Sequence, residues 1–140
     1  MVQGKIEIST DKNLLNLDFI HTYLTHSYWA KGITRGAVKK SIRHSFCFGI
    51  YEEGQQAGFA RVITDFTTFA YLADVFIDPS FQGRGLGKQL VGHIMAHKDL
   101  KQLRRWHLLT DDAHGLYNRF GFNKPSNPIL HMEKTSKPQY

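Results

Sequence analysis

The chain has 140 residues, 41% of them in the apolar set AVILMFWYC, and a formal net charge of +6 at pH 7. That length is one domain's worth of chain, enough to bury a core without disulfides or metal, and the composition excludes intrinsic disorder and low-complexity fibres. The basic surplus favours anionic partners as a class (nucleic acid, a membrane surface, a phosphorylated small molecule) and does not choose among them.

Residues 5–8 alternate and read as a short strand. From Asp18, Phe19, Ile20, Tyr23 and Leu24 fall on one helical face, with Asp18 as the expected N-cap. Gly32 ends that region. Thr34 caps a second helix in which Ala37, Val38 and Ile42 face inward while Arg35, Lys39, Lys40 and Arg43 face water. The period then changes to two: residues 46–51, 56–65 and 69–77 read as an antiparallel meander, with a turn at 52–55. Asp78-Pro79 stops the third of these strands. After a glycine-rich stretch, Leu86, Leu90, Val91, Ile94 and Met95 return to helical spacing.

Residues 106–110 predict a fifth strand, 113–120 a short helix ended by Gly121, and 129–132 a last strand. A helix between the fourth and fifth strands requires a parallel pair. The expected fold is therefore mixed α/β, a mixed and mostly antiparallel sheet flanked by helices, in a single domain over residues 1–140. The tail carries Pro125, Pro128 and Pro138, and residues 135–140 are expected to fray. Cys47, the one cysteine, cannot close an intramolecular disulfide. The first ten residues hold no apolar signal core and no run approaches a membrane span, so the expected compartment is the cytoplasm and no membrane partner is expected.

The most informative stretch runs Val75-Phe76-Ile77-Asp78-Pro79-Ser80-Phe81-Gln82-Gly83-Arg84-Gly85-Leu86-Gly87-Lys88. It passes from strand through a glycine loop into a helix N-terminus, where bare N–H groups and the helix dipole favour an anion. A P-loop reading fails: Gln82 stands where the first glycine belongs, and Gln89 follows Lys88 where Ser or Thr is needed. A Rossmann reading fails because the loop comes late in the chain and no acidic residue ends the next strand. Three glycines framed by Gln82, Arg84 and Lys88 fit a pyrophosphate cradle better than a plain connection.

Gln82-Gly83-Arg84-Gly85-Leu86-Gly87 resembles the [Q/R]-x-x-G-x-[G/A] signature of the GNAT superfamily, the GCN5-related N-acetyltransferases. The preceding strand and the later Leu116-Tyr117-Asn118-Arg119-Phe120-Gly121-Phe122 resemble its other two hallmarks. The resemblance covers nearly the whole chain, is strongest from Ala60 to Phe122, and looks like the small stand-alone bacterial members. It implies the GNAT fold and an acetyl-CoA-dependent N-acetyltransferase that moves an acetyl group to a primary amine in a ternary complex. The amides of Gln82, Gly83, Arg84, Gly85, Leu86, Gly87 and Lys88 would hold the pyrophosphate of acetyl-CoA. Val75, Phe76 and Ile77 would pair with the pantetheine arm, beside a bulge that opens a slot in the sheet.

The resemblance further implies that Tyr117 serves the departing thiolate. Asp74 ranks first as the base, with Asp65, Asp111, Asp112 and His114 behind it, acting directly or through water. Tyr28, Trp29 and Tyr71 are expected in the acceptor pocket, where aromatic walls suit an apolar or cationic amine. The acceptor is a small-molecule or peptide amine. Many members of the family pair as homodimers, and the resemblance extends that expectation here. The rival readings are a module that holds CoA without turnover and a basic nucleic-acid-binding protein, although no recognition motif for nucleic acid accompanies the charge. His93 and His97 have the i, i+4 spacing of metal ligands, but no Glu follows His93 and no carboxylates cluster nearby, so no metal is expected.

Overall fold

The computed structural model describes residues 4–138. Its elements run β1 (Ile6–Ser9), α1 (Leu17–Thr25), α2 (Arg35–Arg43), β2 (Phe46–Glu52), β3 (Gln55–Thr64), β4 (Phe69–Ile77), α3 (Leu86–Met95), β5 (Arg105–His107) and α4 (His114–Asn118). The five strands form one sheet in the order β1-β2-β3-β4-β5. Each neighbouring pair is antiparallel except β4 and β5, which run parallel.

Strand alternation separates two cores. Phe48, Ile50, Val62 and Leu72 pack with Leu86, Leu90, Val91 and Ile94 of α3 on one face. Cys47, Phe59 and Phe76 pack with Ile20, Leu24 and Val38 of α1 and α2 on the other. Residues two apart share a face, so one tight meander serves both layers. Each fully buried aliphatic side chain contributes about 1.5–3 kcal/mol.

Several expectations are corrected. The N-cap of α1 is Asn16, whose side chain accepts the Phe19 amide at 3.0 Å. Asp18 lies inside the first turn and pairs instead with Arg35 at 2.8 Å. Thr34 caps α2 as expected, accepting the Ala37 amide at 3.1 Å. The fifth strand is shorter than residues 106–110, because its pairing with β4 covers only Phe69–Tyr71 against Arg105–His107. The helix expected over 113–120 spans only His114–Asn118.

Residues 129–132 form no strand. Pro128–Leu130 make a 3-10 turn, and Ile129 and Met132 are 85% and 96% exposed. Pro128 has no amide to donate to a ladder, and three-residue β5 offers little edge to extend. Of the tail expected to fray, Gln139 and Tyr140 lie outside the described residues, as does residue range 1–3 of the expected domain.

Candidate active site

The sheet opens where β4 changes register. Phe59 faces Phe76 and Arg61 faces Ala73, so β4 carries one extra residue between those pairs. The irregularity falls at Asp74, a non-glycine residue with φ +55°. A bulge of this kind bends its strand and increases its twist. Beyond Tyr71, the side of β4 that faced β5 has no strand partner. The strand edge therefore borders clefts instead of a neighbour.

β4 ends at Ile77, and the side chain of Asp78, the next residue, accepts the Ser80 amide and hydroxyl. The Gln82 side chain turns back and donates to the Ile77 carbonyl at 3.0 Å, bracing the loop against the strand end. Gly83 and Gly85 hold φ +79° and +74°, the left-handed region that glycine enters without a Cβ clash. Gly85 is the N-cap of α3 and supplies no side-chain cap. Among the described residues, the amides of 83–88 find no acceptor. A run of bare donors at a helix N-terminus suits a pyrophosphate, and a Cβ built on Gly83 or Gly85 would project into open space. The donor set fits the diphosphate of a CoA thioester.

The charges around this loop are not equivalent. Arg84 turns away and grips both carboxylate oxygens of Glu52 at the end of β2. That hydrogen-bonded pair holds the Glu52 carboxyl below the usual carboxylate range. The Arg84 amide remains in the cradle while its guanidinium ties the loop to the sheet. Lys88 is exposed and makes no ion pair among the described residues.

Two clefts border the opened edge. The first, about 950 Å³, runs between α1 and the end of β4, touching Phe19, Tyr23, Val75, Phe76, Ile77 and Gln82. The second, about 710 Å³, lies over the middle of β4 and takes in Arg61, Tyr71, Asp74, Leu108, Thr110 and Tyr117. Tyr28, Trp29, Val75 and Asp112 line both, so the clefts meet there. Tyr23 stacks flat on Phe76, with centroids 3.9 Å apart, and forms one wall of the first cleft.

The structure brings most of the expected site residues to this junction. Tyr117, 8% exposed, projects from α4 into the second cleft, and its hydroxyl has no hydrogen-bond partner among the described residues. Burial, with Tyr28 and Asp112 nearby, pushes its phenol up to about 12. The Tyr28 hydroxyl accepts the Asp111 amide at 3.2 Å and holds the loop before α4. Trp29 Nε1 donates to Asp74 Oδ1 at 2.9 Å. Tyr71 stacks on His107, and His107 in turn on His131.

Asp74 sits differently from a free base. Its second oxygen accepts from Arg61 Nε at 2.8 Å, and the two side chains are only 9% and 16% exposed. Arg61 Nη1 donates onward to the Ser45 hydroxyl at 3.1 Å. Both carboxylate oxygens are therefore committed to holding the bulge and Trp29. Arg61 is a site residue that sequence reasoning missed. Its signal lay in the β3–β4 register, which the bulge shifts by one residue.

The other candidates scatter. Asp65 sits in the β3–β4 turn and accepts the Thr68 hydroxyl and the amides of Thr68, Thr67 and Phe69, which hold its carboxyl well below the usual range. His114 opens α4 and lines neither cleft. Asp112 alone among the alternative acids lines both clefts. Cys47 is buried, with its thiol pushed up to about 11 by that burial. His97 packs edge-on against Phe46 at 5.1 Å and accepts the Asp99 amide at 3.1 Å.

A mixed sheet parts at a bulged strand, and a bare-amide cradle follows directly after that strand. The chain belongs to the GNAT acetyltransferase family: the family model for the acetyltransferase (GNAT) domain matches residues 43–124. A crystal structure of a GNAT-family protein from Xanthomonas campestris pv. campestris is 47% identical, with TM-score 0.92 and 96% of each chain covered. An acetyltransferase-family protein of Gibberella zeae is 34% identical over 84% of this chain and 78% of its own. An acetyltransferase from Clostridium acetobutylicum solved with acetyl-CoA shares the fold, with TM-score 0.65 at 11% identity over 92% of this chain and all of its own.

Proposed function

We propose that the protein transfers an acetyl group from acetyl-CoA to a primary amine by direct attack within a ternary complex. The observation that carries this reading is the continuity of three features. The bare amides of residues 83–88 follow directly on the unpaired β4 edge, and that edge leads to the Tyr117 hydroxyl. The diphosphate fits the amides, an amide-bearing arm fits the open edge, and the reacting end then falls where the two clefts meet.

Acetyl-CoA supplies an activated acyl carbon whose leaving group is a thiolate. The acceptor ammonium first loses a proton to water or to Asp112 at the junction, because it has no lone pair until then. The amine nitrogen then attacks the thioester carbon, the C–S bond breaks, and the nitrogen's second proton passes through water to the departing thiolate, giving the amide and free CoA thiol. Tyr117 keeps its own proton at neutral pH, since its phenol titrates near 12. It therefore donates a hydrogen bond to the sulfur as negative charge builds there, where a thiol of reference pKa about 8.5 is forming. Asp74 positions Trp29 and neutralises Arg61. No nucleophile is needed from the chain; buried Cys47 lines neither cleft.

The test is calorimetry with CoA followed by free-thiol release across a panel of amines. Stoichiometric CoA binding with amine-dependent thiol release is the expected result. CoA binding without release for any amine would leave a carrier module in place of a transferase.

A further inference from the structure

Resting on that reading, we infer that the acceptor is a cationic amine bearing no carboxylate or phosphate, held by Asp111 and Asp112 beside exposed aromatic rings. The chain as a whole carries +6, yet the clefts carry the opposite sign. No lysine lines either cleft, and the sole arginine is Arg61, among the described residues. Arg61 is already consumed by Asp74 at 2.8 Å and by Ser45. An anionic group on the acceptor would find no free Lys or Arg there.

A cation finds several partners. Asp111, which lines the second cleft, and Asp112, at the junction, are exposed and make no ion pair among the described residues. Their loop is held in place by the Tyr28 hydroxyl on the Asp111 amide. Tyr28 and Trp29 are 60% and 40% exposed, their rings 5.1 Å apart edge to face, so each presents ring surface to the cleft. Trp29 is locked by its bond to Asp74. Aromatic faces and carboxylates attract the same charge and repel anions. Tyr117, 8% exposed, lines the same cleft, so the amine bound there lies beside the hydroxyl assigned to the thioester sulfur.

The probes are putrescine, butylamine and γ-aminobutyrate, which share a four-carbon chain and differ in the far end. Each is titrated by calorimetry into CoA-saturated protein, so binding is read without turnover, and thiol release from acetyl-CoA is measured in parallel. Putrescine is expected to bind about tenfold tighter than γ-aminobutyrate, with butylamine between them. In the double variant Asp111→Asn/Asp112→Asn that preference is expected to shrink to within about twofold. These side chains are exposed, and the bond to Tyr28 uses the backbone amide, so the loop keeps its anchor. γ-Aminobutyrate binding as tightly as putrescine, no binding by any probe, or an unchanged preference in the double variant overturns the inference. The expected binding order without thiol release supports it and counts against the transferase reading alone.

Discussion

Replacing Tyr117 with Phe removes one hydroxyl and keeps the ring. The structure allows the cost of that change to be separated into stability and chemistry. The ring packs edge-on against Phe122 at a centroid distance of 6.0 Å, a contact that Phe preserves. The hydroxyl has no protein partner, so its loss leaves no buried group orphaned, and stability should change by less than about 1 kcal/mol. CoA affinity should hold, because the cradle amides lie on another element. Turnover should fall by about 10²-fold, equivalent to about 2.7 kcal/mol of transition-state stabilisation. An interaction made only in the transition state lowers kcat and leaves binding alone. The assay is stopped-flow thiol release at saturating acceptor, paired with calorimetric CoA affinity and a melting curve. With its phenol at about 12, Tyr117 stays protonated through neutral pH, so the wild-type rate should show no loss from its ionisation below pH 10. A kcat within about twofold of wild type, with the fold intact, refutes the leaving-group role and makes Tyr117 a packing residue.

Gly85→Glu should abolish CoA binding in a folded protein, since residue 85 holds φ +74° beside the bare amides and the new carboxylate would repel the diphosphate; unaltered calorimetric affinity would remove the cradle assignment. Asp74→Asn keeps an acceptor for Trp29 but leaves Arg61, 16% exposed, without its counter-charge, and should cost about 3 kcal/mol in denaturant unfolding. Adding Arg61→Leu should recover most of that loss, and an unaltered midpoint in the single variant would show that the pair is energetically idle. Tyr51→Phe should raise Tm by a few degrees, because the Tyr51 hydroxyl is buried without a partner. Burial pushes the Tyr51 phenol from 10.0 up to about 12, so its contribution is full below pH 10 and is lost as pH rises towards 12. The variant should therefore lose less stability than wild type across that window, and parallel alkaline curves would contradict the assignment.

Much of the architecture was legible because it is local. Alternation in residues 46–77 specified the meander and, through it, both core faces. The glycine spacing after Pro79 announced a helix N-terminus with exposed amides, and Tyr117 followed from its place in Leu116–Phe122. Local signals failed where an element needed a neighbour to exist. Residues 129–132 are mostly apolar and read as a strand, but Pro128 and a three-residue β5 give them no ladder to join. Asn16 displaced Asp18 as the cap of α1 because the helix starts at Leu17, a boundary that apolar periodicity does not mark.

The roles of the charged groups were decided only by tertiary structure. Asp74 reads in sequence as a free acid beside a binding strand. A bulge rotates it onto Arg61, thirteen residues away, and onto Trp29, forty-five residues away. Arg84 reads as charge for the cradle, yet it closes on Glu52, thirty-two residues distant. Composition makes the chain basic, whereas folding gathers Asp111 and Asp112 at a cleft whose one arginine is already neutralised. Residue type and spacing carry backbone geometry, because helix and strand periods are local. A side chain's partner depends on long-range register, and here one extra residue in β4 settles which groups meet.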